Sequence, residues 1–128
     1  MPNVARKNMA DTVSSPHGTT KTVTIVTKST DANGVVTTTT STSTTCSSPS
    51  TQHTQEGSSN VLVNGIGAVR VGDRMTAHND SSCSSHQPTL SIGSSSVFVN
   101  GKSIARIGDI YGSDEIISSG SPNVFAGG

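Results

Sequence analysis

Within nine residues the chain offers three strong metal donors, His78, Cys83 and His86, in the run HNDSSCSSH. Cys83 and His86 form a C-x2-H pair, a spacing at which one tight turn presents a thiolate and an imidazole to the same cation. His78 is close enough to join them. A fourth donor is His17 in ADTVSSPHG, six positions after Asp11, much as His78 lies five after Asp73. Three histidines and one cysteine fill a tetrahedron and leave no place for water, so the expected zinc is structural and not catalytic. Such an ion contributes on the order of 10 kcal/mol to the folding of small metal domains. Cys46 and His53, in CSSPSTQH, are competing donors that can replace one of the four.

The segments that must position these donors are written twice. Residues 57–73 read GSSNVLVNGIGAVRVGD and residues 93–109 read GSSSVFVNGKSIARIGD, with ten identities over 17 positions. Each copy is predicted to run as a strand at Val61 to Val63, an Asn64-Gly65 turn and a return strand at Val69 to Val71, followed by a loop that opens at Gly72-Asp73. A third copy begins at Gly120 as GSPNVFAGG and stops at its turn. Its second half is found at the other end of the chain, in PNVARKNMAD. There Ala5-Arg6 fall where Val69-Arg70 and Ala105-Arg106 fall, and Ala10-Asp11 replace Gly-Asp after a two-residue insertion. The termini are therefore expected side by side, closing a ring of three hairpin units that leaves no open sheet edges.

Composition supports an all-β body and limits its partners. Of 128 residues only 30% are hydrophobic and 2% aromatic, so an ordinary core is out of reach. Thr and Val favour strands, and nothing has the pattern of a long amphipathic helix. Acidic and basic residues balance at 8 each, with no run of Lys or Arg. That excludes an electrostatic footprint for nucleic acid or for an anionic membrane surface. The N-terminus has no apolar signal region and no window can span a membrane, so synthesis in a reducing cytoplasm is expected. In that compartment Cys46 and Cys83 read as thiols or metal ligands and not as a disulfide, a reading that an extracellular fate would reopen. Residues 1–128 read as one domain, with a Thr/Ser-rich hairpin inserted at about 19–55 that turns at Asp31 to Gly34.

The repeat, the donors between its copies and the closing GSPNVF together resemble the PAAR-repeat family, which caps the spikes of contractile injection machines. The motifs NVLVNGIGAVRVGD, SVFVNGKSIARIGD and GSPNVFAGG carry the resemblance, which covers Val4 to His17 and Glu56 to Gly128 and leaves the insertion unmatched. It implies a small cone whose base sits on a trimeric β-helical spike, either a VgrG-like protein or a phage central spike, one tip chain per trimer. It implies also a point closed by zinc on His17, His78, Cys83 and His86, and a mechanical role in sealing the spike and breaching the target envelope. A phage baseplate is the favoured setting, with the type VI secretion spike as the alternative. The chain stops at the motif, so no effector is expected. Two other readings fit the residues: a free-standing metal-binding β domain, and a zinc hydrolase, for which Glu56 and Asp80 are the nearby carboxylates and neither has motif spacing.

Overall fold

Asn-Gly turns set the shape of each unit. In the computed structural model, which describes all 128 residues, Asn64 and Gly65 have φ of 55° and 78°, and Asn100 and Gly101 have 53° and 78°. Two successive left-handed residues make the two-residue hairpin turn whose twist suits antiparallel strands. The strands are β1 (Thr12–Thr30), β2 (Val36–His53), β3 (Leu62–Val63), β4 (Ile66–Gly67), β5 (His78–Asn79), β6 (Ser85–His86), β7 (Phe98–Val99), β8 (Lys102–Ser103), β9 (Ile110–Tyr111) and β10 (Glu115–Ile117), with no helix. The turn sets Val63 opposite Ile66 and Leu62 opposite Gly67. β7 and β8 pair in the same register, Val99 with Lys102 and Phe98 with Ser103. The return strand therefore begins at Ile66, earlier than the Val69 to Val71 expected from alternation. A two-residue turn leaves no slack, so pairing must resume at once.

Residues 69 to 71 serve a different purpose, which is to join the units. Ala5 N donates to Ala105 O at 3.0 Å, Ala105 N to Val69 O at 2.9 Å, and Val69 N to Ala5 O at 3.0 Å, a closed cycle of three hydrogen bonds. All three residues are fully buried. Larger side chains than Ala and Val would hold these backbones apart. The third unit is split as the sequence implied: Val4 N donates to Val124 O at 2.9 Å, matching Ala68 N to Val61 O and Ile104 N to Val97 O at 3.0 Å. Asn3 pairs with Phe125 and completes the third hairpin from the two chain ends.

Each unit carries the same arginine clamp. Asp11, Asp73 and Asp109 each accept the backbone N–H and side-chain Nε of Arg6, Arg70 and Arg106 on one oxygen, and Nη2 on the other. Between units, Ser58 Oγ donates to Asn100 Oδ1 at 2.8 Å and Ser121 Oγ to Asn64 Oδ1 at 2.5 Å. The third equivalent, Ser94 Oγ, donates to the carbonyl of Gly127, where the other two units have Asn. The Gly-Asp signature thus locks an arginine and sets the start of the loop that follows.

Two small apolar clusters fill the body. Val4, Val63, Ala68, Val99, Ile104 and Ala126 lie under the hairpins, with Val97 and Val124 packed against them. Ala5, Val13, Val69, Met75, Leu90, Ala105, Tyr111 and Ile117 lie at the ring and under the loops. The chain runs from hairpin through ring to loop in every unit, so the hairpins pack on one apolar cluster and the loops on the other.

The loop of the split unit grows into the inserted hairpin. β1 pairs with β2 from Thr12↔His53 to Thr30↔Val36, and at its foot β1 also pairs with β10, giving the order β2-β1-β10-β9. Two register shifts interrupt the ribbon. Between Ser15↔Ser50 and Thr19↔Ser48, Pro16-His17-Gly18 face Pro49 alone; between Thr19↔Ser48 and Lys21↔Thr45, Cys46-Ser47 face Thr20 alone. Both cysteines depart from the expectation of free thiols, since Cys46 and Cys83 form a disulfide that closes a separation of 37 residues. Compartment alone argued for thiols, whereas the fold brings β2 against the loop between β5 and β6. Closing a loop of that size stabilises on the order of 3 to 4 kcal/mol through the unfolded chain.

Replacing Asp73 by Ala should strip Arg70 of its clamp and lower unfolding free energy by about 2 to 3 kcal/mol in urea titration. Tyr111 gives the opposite case, because its hydroxyl is buried without a hydrogen-bond partner and burial pushes its ionisation upward. Tyr111→Phe should leave the melting temperature unchanged or raise it; a loss of several degrees would reveal a partner for the hydroxyl.

Candidate metal centre

All three units send a side chain to one point. His17 comes from β1, His78 and His86 from the β5–β6 hairpin, and Glu115 from the start of β10, and their ligand atoms lie within 4.8 Å of one another. Local structure explains how the histidines arrive. Strand alternation turns Val13, Ser15 and His17 inward, and the bulge at Pro16-His17-Gly18, with Gly18 at φ 109°, ends that pattern directly after His17. His17 is 8% exposed on a strand that is otherwise open beyond it. His78 and His86 are direct cross-strand partners, which puts both imidazoles on one face. Asp80 holds the turn between them, accepting from Ser82 N, Ser82 Oγ and Ser84 N. The Ser82 hydroxyl, chiefly, holds the Asp80 carboxyl below the usual carboxylate range.

Cys83 occupies that turn at φ 65°, and its sulfur is bonded to Cys46. A disulfide sulfur has no thiolate to offer, so Cys83 is not the fourth member of this group. Cys46 is excluded by the same bond. His53 stands at the far end of β2, where it pairs with Thr12, and does not reach the cluster. Glu56 faces Arg74 and also lies elsewhere.

The fourth member is Glu115, which lay outside the sequence reading. Its signal was present, since Glu115 follows Asp109 by six positions, as His17 follows Asp11 by six and His78 follows Asp73 by five. A carboxylate in IYGSDE has no chelating motif around it, and only the repeat offset marks it.

The hydrogen bonds define which atoms face inward. His17 Nδ1 lies 3.1 Å from the carbonyl of Asn79, and His78 Nδ1 lies 2.9 Å from that of Thr76. A carbonyl only accepts, so Nδ1 is protonated in both rings, and in the neutral imidazole Nε2 is then the nitrogen left to bind a cation. The Nε2 atoms converge on one another and on Glu115. His78 Nε2 is 2.9 Å from His86 Nε2 and in close contact with Glu115 Oε1, while His17 Nε2 and His86 Nε2 are 3.8 and 3.7 Å from the Glu115 oxygens. Ser15 Oγ donates to Glu115 Oε1 at 2.7 Å, but Oε2 is buried with no hydrogen-bond partner. Glu115 is 1% exposed. A buried carboxylate with an unpartnered oxygen calls for positive charge, and a divalent cation placed among the three Nε2 atoms would supply it to all four groups at once. The donor set fits a metal ion.

A model of the PAAR motif family matches residues 26–114, well over half of the chain. The chain belongs to the PAAR motif family. The match spans both whole hairpin units and much of the inserted ribbon, and the unit split across the termini lies outside it. Membership brings a spike-tip role in contractile injection or type VI secretion machines, in a family that is structural and not enzymatic and that binds metal. Comparison with curated proteins gives no match.

Ser15 is the one hydroxyl donor to Glu115. Ser15→Ala should lower stability in the presence of chelator by about 2 kcal/mol, read as a shift in the thermal midpoint. No shift would mean that Glu115 does not depend on that bond.

Proposed function

We propose that one copy of this chain closes the blunt end of a trimeric β-helical spike, seated through its hairpin side, and that one zinc ion stiffens the opposite, pointed side. The observation that carries this reading is a repeated apolar residue. Leu62, Phe98 and Phe125 occupy the same place in the three units and are 57%, 58% and 48% exposed. An asymmetric chain that shows one apolar residue three times around a pseudo-threefold axis suits a partner built of three identical chains. Burying each contributes about 1.5 to 3 kcal/mol.

At the point, His17, His78 and His86 would hold zinc through Nε2, with Glu115 as the fourth donor in place of Cys83. Imidazole and carboxylate donors suit zinc among divalent cations. Zinc supplies no reaction in this role. It cross-links loops from all three units where apolar burial is scarce, so the tip resists fraying when the spike is driven through an envelope. The setting we infer is a phage-type baseplate, because the addition to the body is a polar Thr-rich ribbon of structural character.

Elemental analysis should find about one zinc per chain; Glu115→Ala should lose most of it, and Cys83→Ser should keep it. The reverse pattern would return the site to Cys83. Native mass spectrometry of the chain co-expressed with a phage central spike or a type VI secretion spike should show three spike chains to one tip. Changing Leu62, Phe98 and Phe125 together to Ser should weaken that complex on the order of 100-fold with zinc retained. A 3:3 complex, or undiminished binding by the triple variant, contradicts the seating.

A further inference from the structure

The disulfide lies where neither the ring nor a spike partner requires it. Cys46 sits in the second of the ribbon's two register shifts, on β2 opposite Thr20, just where the ribbon leaves the body. Cys83 sits in the turn between His78 and His86. The bond therefore ties the root of the ribbon to the loop that supplies two of the three imidazoles, while His17 stands on the ribbon's other strand. Around it, Cys46 N donates to Ser81 O at 3.2 Å. Asn79 connects the bond to the site directly, because its Nδ2 lies 3.9 Å from Cys46 Sγ and its carbonyl accepts from His17 Nδ1. Apart from the bond, the ribbon is tied to the root of the β5–β6 hairpin at Thr76, by Thr76 N to His53 O, Thr76 Oγ1 to Gln52 Oε1 and the Thr54–Met75 bridge, whereas at the tip of that hairpin the remaining ties are the Cys46–Ser81 and Asn79 contacts.

Resting on the metal reading above, we propose that Cys46 and Cys83 form a redox-operated clamp on the metal centre. As dithiols they let the β5–β6 hairpin part from His17, and the ion exchanges; as a disulfide they hold the two together and trap it. Closure needs a disulfide oxidant. One cysteine thiolate attacks a sulfur of the oxidant and expels the other as a thiolate, and the second cysteine then attacks the mixed disulfide and expels the remaining one. Two electrons and two protons pass to the oxidant, which leaves as two thiols. The order of events follows: metal enters in a reducing compartment and is locked in an oxidising one.

The test uses the full chain loaded with zinc, either oxidised or reduced with a phosphine, its thiol state verified by alkylation and mass spectrometry. Zinc loss to excess chromophoric chelator should be about tenfold slower from the disulfide form, the size of effect expected when groups that orient ligands are disturbed. The double variant C46S/C83S should lose zinc at the fast rate with or without reductant. Equal rates in the two redox states overturn the clamp, and so does slower loss from the reduced form, which would mean that the freed Cys83 thiolate joins the ion. If the protein takes up no zinc in either state, the metal reading fails by itself. The clamp is then read on metal-free protein by hydrogen exchange, where reduction must speed exchange in residues 12–20 and 76–87, and unchanged exchange overturns it.

Discussion

Three backbone hydrogen bonds, from Ala5 to Ala105 to Val69 and back to Ala5, are the constraint on which the rest depends. A closed cycle of this kind admits no register slip, since moving one strand breaks two bonds. It requires small residues at the axis and fixes the direction in which each chain segment leaves. The arginine clamps follow directly, each one residue after a ring position, and the Asp of each clamp is where a loop begins. Equal geometry at the ring is what brings three different loops to a common point.

That arrangement also explains how so polar a chain folds. Only 26 of 128 residues are buried, and the two apolar clusters are small. Stability must come from elsewhere, through the clamps, the Ser–Asn hydrogen bonds between units, the disulfide and the ion that the convergent donors call for. The ribbon of β1 and β2 adds pairing but little burial, with Val23, Ile25, Val26, Val35 and Val36 all exposed.

Much of this was legible in the residues. The identity between the two whole copies gave the hairpin unit, and matching Ala5-Arg6 to Val69-Arg70 gave the split third unit that the backbone now confirms. Register was misread at Val69 to Val71, because alternation marks apolar faces and does not reveal which strand lies opposite. The disulfide was misread for a different reason. Cysteine chemistry was inferred from compartment, whereas proximity of Cys46 to Cys83 depends on a ribbon packing against a loop far away in sequence. Glu115 is hidden by its type: a lone carboxylate is common and carries no chelating motif, although its distance from Asp109 follows the repeat.

The central claim is that the ring's symmetry ends in a cation held by three imidazoles and Glu115. X-ray absorption at the zinc edge of the purified, oxidised protein tests it most directly. The account predicts a first shell of nitrogen and oxygen at about 2.0 to 2.2 Å with no sulfur. A sulfur scatterer at about 2.3 Å would contradict it and place Cys83 or Cys46 on the metal.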